Sequence, residues 1–127
     1  MGNTFSIAGL SLAYGNNLSL SPLDDIRITA VVGFTHHARR GKLIGRNAKK
    51  DVHGIEAAEP ALRIHTNAGI DGIGFGRITQ AEAQALIGHC LSDIWRPGHG
   101  MDSPLGRADH ALFDLIGKAL NMPAWEL

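Results

Sequence analysis

Apolar and polar residues alternate in three stretches of the chain, at positions 26–34, 60–66 and 70–76. Such alternation is typical of a β-strand with one buried face. Between the second and third stretches lies a short connection that ends in Gly69, a residue free to adopt positive φ, so these two strands are predicted to form a hairpin. In the first strand, one face is predicted to carry Ile26, Ile28, Ala30, Val32 and Phe34.

Two later stretches have the spacing of amphipathic helices. Thr79 and Glu82 form a capping box at the start of the first helix. Its predicted buried stripe comprises Ala83, Leu86, Ile87, Cys90, Leu91 and Ile94. Ser103 and Pro104 suit the start of the second helix, and Asn121 and Pro123 its end. The stripe of this second helix comprises Ala108, Ala111, Leu112, Leu115, Ile116, Ala119 and Leu120.

The first two strands are separated by residues 35–59, predicted to be a long loop. Strands followed by helices indicate an α+β domain, here a three-stranded antiparallel meander followed by packed helices. Residues 1–24 are rich in Gly, Asn and Ser and show no sustained period, so they are predicted to be a poorly defined N-terminal arm. Residues 25–127 are predicted to form the domain itself.

Composition narrows the class of protein. The chain of 127 residues has the length of one domain. Its 12 basic residues balance its 12 acidic ones, so no overall charge favours nucleic acid or an anionic membrane. No apolar run is long enough to span a membrane. Cys90 is the one cysteine, which favours a reducing compartment, the cytoplasm; on its apolar stripe it is predicted to be an inert core thiol.

Glycines mark predicted sites of close backbone approach. Gly72, Gly74 and Gly76 alternate on one face of the third strand, where another backbone can come near. Gly117 interrupts the last helix beside its buried stripe, which predicts that another backbone also comes close at this position. A dinucleotide site is excluded because Thr79 stands where the third glycine of the phosphate-binding turn belongs.

The loop at 35–59 carries the strongest candidate chemistry. It holds three of the seven histidines and half of the basic residues, a local positive charge that suits a carboxylate. A solvated loop whose charges keep it soluble explains the same composition. A metal site on the adjacent His36 and His37 is the weakest alternative, because no cysteine or carboxylate falls at a recognised ligand spacing. His110 and Asp114, four residues apart on the last helix, are interpreted as a solvent-facing pair.

The last helix and its exit carry a family resemblance. The matching residues are Ala111, Leu112, Phe113, Asp114, Leu115, Gly117, Lys118, Pro123 and Leu127. This stretch resembles the end of the amino-terminal capping domain of the mandelate racemase and muconate lactonising enzyme branch of the enolase superfamily. Ala124 departs from the branched aliphatic residue usual there. The resemblance extends over roughly three-quarters of the chain and leaves out the first 24 residues.

The resemblance implies a lid over the mouth of a (β/α) barrel. The loop at 35–54 and the segment after the third strand would face the substrate, with His36, His37, Arg39, Arg40, Phe75 and Arg77 as the substrate-binding residues. Many relatives carry a glutamate or tyrosine in place of Phe75. Full-length relatives bind Mg²⁺ and abstract the proton α to a carboxylate, as racemases, cycloisomerases or acid-sugar dehydratases.

The catalytic groups of such enzymes lie on the barrel. The resemblance therefore implies no catalytic residue, no metal ligand and no cofactor in this chain, with Mg²⁺ expected only in the full-length enzyme. The isolated chain is predicted to be inactive. Its expected partners are the missing C-terminal barrel, a small carboxylate substrate and, because the barrel-facing surface would be exposed, further copies of itself. The competing hypothesis is a non-enzymatic α+β module whose basic loop captures an anion or an acidic partner.

Overall fold

In the computed structural model, four strands form one antiparallel sheet in sequence order. The described residues are 4–8, 22–45, 54–102 and 108–127. The strands are β1 (Phe5–Ala8), β2 (Ile28–Ile44), β3 (Gly54–Thr66) and β4 (Asp71–Phe75). The hairpin predicted between the last two is confirmed, with Gly69 at a φ of 75°.

Helices pack on one face of this sheet, which confirms the α+β prediction. They are α1 (Pro22–Asp25), α2 (Gln80–Leu86), α3 (Leu91–Ile94) and α4 (Asp109–Leu120). The short strands β5 (Trp95–Arg96) and β6 (Gly100–Met101) form a separate hairpin, and a 3₁₀ turn at Ala124–Glu126 follows α4. Predicted capping residues Ser103 and Pro104 lie outside the described residues.

The sheet has one strand more than the sequence predicts. β1 belongs to the segment predicted to be an arm, and it pairs antiparallel with β2, with Phe5 opposite Gly33. The Phe5 ring lies over Gly33, where a Cβ would collide with it. Phe5 and Ile7 pack against the core. A four-residue strand with two apolar side chains is too short to give a recognisable alternation, so the pattern missed it.

The predicted assignment of residues to the two faces of the first strand is wrong beyond Ile28, because the strand contains a β-bulge. The pairing of β2 with β3 shifts register between Ile28 and Ala30. Beyond this extra residue the alternation is inverted. Ile28 and Val31 are therefore the buried side chains on the helix side, at 1% and 0% exposure, and Val32 points the other way.

Most of the predicted loop at 35–59 is in fact β-structure. Residues 35–39 of β2 pair with residues 56–60 of β3, and Ile44 pairs with Gly54 after a register shift. β1 and β4 pair no further along than Gly33 and Ala61. Residues 35–44 and 54–60 thus form a two-stranded ribbon beyond the end of the sheet, called the ribbon below. The prediction of a loop was wrong because neither face of the ribbon is buried, so no apolar alternation marks it.

The predicted helix at 79–94 is broken into two pieces. The Thr79 hydroxyl accepts from the backbone N–H of Glu82 at 3.1 Å, as the capping box predicts. The break comes at Gly88, which has a φ of 87°. There the backbone pairs with the start of β2, since Gly88 N–H donates to Ile28 O at 2.8 Å and Ile28 N–H donates to His89 O at 3.0 Å. The predicted stripe still packs against the core.

Helix α4 crosses β4 at very short range. A Cβ at Gly74 would lie 2.7 Å from the carbonyl carbon of His110, and one at Gly72 would lie 2.6 Å from Leu115 Cβ. The close approach predicted for this strand is therefore confirmed. At Gly117 a Cβ would lie 2.8 Å from Met122 O, because the chain folds back after Asn121, whose φ of 54° is the predicted left-handed cap.

Candidate functional site

A groove lies at the end of the sheet where the ribbon begins. It has a volume of about 560 Å³. Its described lining residues are Thr4, Phe34, Thr35, His37, Ala58, Pro60 and Arg77. Side chains opposite one another in an antiparallel pair share a face, so the pairing of Thr35 with Pro60 and of His37 with Ala58 puts these four side chains on the helix side.

His36 and His37 project from opposite faces of β2. This follows from the alternation of side chains along a strand. His37 lines the groove, whereas the ring of His36 meets the edge of the Phe75 ring with centroids 5.8 Å apart and planes at 63°. The two imidazoles therefore do not chelate one ion, and the hypothesis of a metal on the histidine pair fails on geometry.

Five of the six predicted substrate residues fall into two groups. Arg77, just beyond β4, reaches the groove with His37, and Arg39 shares the face of His37. Phe75 is 53% exposed on the other face, beside His36. One small ligand in the groove would contact the first group and not the second.

Arg40 has a contact that the sequence did not indicate. Its Nη1 donates to the backbone carbonyl of Glu56 at 3.0 Å and to that of Gly54 at 3.3 Å. A planar guanidinium that binds two carbonyls of the facing strand ties the ribbon together beyond its register shift. Arg40 thus has a structural role, and a substrate contact for it stays a prediction.

Sequence reasoning missed the groove itself. Thr4 belongs to the predicted arm, and Thr35, Ala58 and Pro60 belong to the predicted loop. The pairing of β2 with β1 on one side and with β3 on the other brings them together, and no local pattern reports such pairing. The described lining supplies the positive charge of Arg77, the imidazole of His37 and the hydroxyl groups of Thr4 and Thr35, which are suited to an oxyanion.

Two further charged sites lie outside the groove. On β4, Asp71 accepts from Arg63 at 3.1 Å and lies 3.0 Å from His65. On α4, Asp114 does not form the predicted solvent-facing pair with His110. Its carboxylate binds Lys118 Nζ at 2.6 Å and accepts from the backbone N–H of Ile73 at 2.9 Å, and Lys118 also donates to Asp71 O.

The Cys90 thiol is buried before α3, and burial raises its pKa above the ordinary value despite the opposing charge of Arg27. A thiol held protonated is a poor nucleophile. This agrees with the interpretation of Cys90 as a core residue.

Metal ligands do not converge within the described part of the chain. There, no three His, Cys, Asp or Glu side chains lie close enough together to hold an ion. The same residues include no helix that is both long and apolar enough to cross a membrane.

Solved structures from Geobacillus sp. share this fold. A mutant galacturonate dehydratase complexed with Mg has a TM-score of 0.68 and 21% identity, covering 87% of this chain and 29% of that one. A mandelate racemase/muconate lactonizing protein complexed with magnesium and tartrate has a TM-score of 0.65 and 20% identity, with the same coverage. The chain has an enolase N-terminal-domain-like fold. This confirms the predicted resemblance at the level of the fold.

A third solved structure of similar fold contains ligands. Galacturonate dehydratase complexed with D-galacturonate and 5-keto-4-deoxy-D-galacturonate has a TM-score of 0.62 and 19% identity, covering 81% of this chain and 28% of that one. This chain thus spans less than a third of the length of the solved chains that it matches. No family model and no curated protein matches the sequence.

Proposed function

We propose that this chain is the capping domain of an enolase-superfamily enzyme of the mandelate racemase and muconate lactonising type. One observation carries the proposal: the fold covers 87% of this chain but only 29% of a galacturonate dehydratase chain. The part matched is a sheet and its helices without a barrel. A domain of this kind acts by covering the site of a second domain, which supplies the chemistry.

The full-length enzyme would abstract the proton α to a carboxylate, as a racemase, cycloisomerase or acid-sugar dehydratase. Bound Mg²⁺ would stabilise the enediolate that results. The described residues of this chain do not fit that role, since no group of three potential ligands converges among them. In this proposal the metal and the base would belong to the barrel, and the isolated chain would be inactive. A cytoplasmic location fits a chain with a single, buried cysteine.

In this proposal the groove is the contribution of the chain to substrate binding. His37 and Arg77 would face the anionic or hydroxyl-rich end of an acid substrate, and Thr35 lines the same groove. The ribbon would cover the substrate and exclude water, which strengthens every charge interaction beneath it. These residues bind and orient, and none of them transfers the proton.

The first test is the reading frame beyond Leu127 in the source genome. We expect it to continue into a barrel with a Lys-x-Lys base motif and three spaced acidic residues. A stop codon directly after Leu127 would contradict the proposal and favour an anion-binding module.

The second test uses the chain joined to that barrel. Replacing Arg77 by Ala removes a charge-assisted hydrogen bond to the substrate, so kcat/KM for the acid substrate should fall about tenfold or more. Arg96→Ala, an exposed arginine on β5, is the matched control and should leave kcat/KM unchanged. Equal kcat/KM values for the Arg77 variant and the control would contradict a role of the groove in substrate binding.

A further inference from the structure

Two of the predicted substrate residues, His36 and Phe75, lie on the face of the sheet opposite the groove and contact each other. Their ring centroids are 5.8 Å apart, with the ring planes at 63°. Such an edge-to-face arrangement of rings is a favourable one. Phe75 is 53% exposed and lies outside the buried core. Its contact with His36 joins the end of β4 to the ribbon and is called the latch below.

The ribbon depends on such a contact for its orientation. It continues two strands of the sheet past the last paired residues of β1 and β4. A two-stranded ribbon twists more strongly than a wider sheet and is marginally stable alone. At the base of the ribbon, the backbone N–H of Gly76 donates to Pro60 O at 2.9 Å. The latch adds a side-chain contact, because Phe75 reaches past its own cross-strand neighbour, Ala61 on β3, to His36 on β2.

The latch lies behind the two ionisable residues in the described lining of the groove. His37 follows His36 in β2 and projects from the opposite face, and Arg77 lies two residues beyond Phe75. Within the described part of the chain, neither His37 nor Arg77 forms an ion pair. Their separation therefore follows from the two backbone segments that carry them, and a swing of the ribbon away from β4 would change it.

We propose that the latch positions His37 and Arg77 to bind one oxyanion together. Hydrogen bonds to an anion are directional, so two donors share one anion only at a suitable separation. His36 and Phe75 are then positioning residues, which touch each other and not the ligand. The inference rests on the role of the groove in the function proposed above, and it names the contact that keeps this groove in shape.

The first measurement tests the contact itself, by NMR of the 127-residue chain. Phe75→Leu keeps an apolar side chain but removes the ring, whereas Phe75→Tyr keeps a ring in the same place. We expect the ring protons of His36 to shift in the leucine variant, where they lose the ring current of Phe75, and to stay near their natural positions in the tyrosine variant. Ile73→Ala is the matched control, since Ile73 is an exposed apolar residue of β4 that pairs with Arg63 and not with the ribbon.

The second measurement tests the orientation of the ribbon. Backbone ¹⁵N relaxation gives order parameters for the amides of residues 35–39 and 56–59, which pair within the ribbon. We expect these order parameters to fall in Phe75→Leu and to keep their natural values in Phe75→Tyr and Ile73→Ala. A change confined to β4 would leave the order of the ribbon amides unchanged.

The third measurement tests anion binding, with inorganic phosphate as the probe. A titration is followed at the imidazole of His37 and at the side-chain N–H groups of Arg77, and we expect both to report one dissociation constant. Phe75→Leu should raise this constant about threefold or more, and Phe75→Tyr should restore it. His36→Leu should act like Phe75→Leu, and the two changes together should cost no more than either alone, because each removes the same contact.

Several results would overturn the proposal. They are a phosphate titration in which His37 and Arg77 do not respond together, natural ribbon order or phosphate binding in Phe75→Leu, a tyrosine variant that behaves like the leucine variant, an equal effect of Ile73→Ala, and additive effects of the changes at His36 and Phe75. None of these measurements involves a barrel or turnover. Failure here would therefore leave the capping-domain proposal standing, whereas a stop codon directly after Leu127 would contradict that proposal and leave these measurements unaffected.

Discussion

Among the described residues, three glycines lie so close to the backbone or Cβ of another segment that a side chain has no room. Gly72 and Gly74 let α4 lie directly on β4, and Gly117 lets the chain return across α4 after Asn121. Each approach is between backbones or short side chains, which cannot rotate away. The sequence pattern predicted close contacts at all three positions, since a glycine within a strand or helix is costly unless something lies beside it.

We predict that Gly74→Ala destabilises the protein by about 2 kcal/mol, because the new methyl group would collide with the backbone at His110. Chemical denaturation measures this as a lower midpoint at an unchanged slope. Gly41→Ala is the matched control, since nothing lies within 4 Å of its Cβ position, and its effect should stay within about 0.5 kcal/mol. An equal loss in both variants would contradict the close packing of α4 on β4.

At the scale of elements, β4 is an edge strand that the last helix protects. Asp114 and Lys118 each bind a backbone group on the free edge of β4. An edge with unpaired N–H and C=O groups invites the addition of another strand, and proteins commonly guard such edges with charged side chains. The spacing of His110 and Asp114 along α4 predicted a solvent-facing pair. Helical periodicity shows which residues share a face of the helix, but it does not show what that face contacts.

Asp114→Ala should therefore do more than remove a surface ion pair. We expect a loss of about 1 kcal/mol and faster hydrogen exchange at the Ile73 amide, which would lose its acceptor. Gln84→Ala on the exposed side of α2 serves as the control, with neither effect. Unchanged exchange at Ile73 in the Asp114 variant would show that the carboxylate does not hold this edge.

The ribbon shows why the sequence predicted some elements and missed others. Leu62 and Ile64 alternate with Arg63 and are buried, so their strand was evident. The ribbon continues the same strand with exposed residues on both faces. The ribbon is held together by pairing between residues that are distant in sequence, and a local pattern does not record such pairing. On its own, a two-stranded ribbon is marginally stable in water. The groove was missed for the same reason.

Arg40→Ala should loosen the ribbon, because its guanidinium binds the carbonyls of Gly54 and Glu56 on the facing strand. We expect faster hydrogen exchange for the amides of residues 38–44, with global stability nearly unchanged. Arg39→Ala is the matched control: the neighbouring arginine is exposed on the opposite face, and its loss should not change the exchange rates. Equal exchange rates in the two variants would contradict the structural role assigned to the Arg40 guanidinium.

At the scale of the whole molecule, the described residues form a buried core with a groove at the end of its sheet. Its sheet and helices enclose buried apolar residues, including Val31, Leu62, Ile64 and Leu112. The groove holds His37 and Arg77 without a convergent set of metal ligands among the described residues. In the function proposed above, such a chain would recognise one end of an acid and would depend on a second domain for the reaction.

Exchange of the α-proton of an acid sugar in D₂O with Mg²⁺, followed by NMR, tests this dependence most directly. Galacturonate is the first substrate to try, because the solved relatives include a galacturonate dehydratase bound to D-galacturonate, and other acid sugars follow. We expect exchange or turnover with the chain joined to the proposed barrel, and none above background with the 127-residue chain alone. Magnesium-dependent exchange by the chain alone would contradict the account.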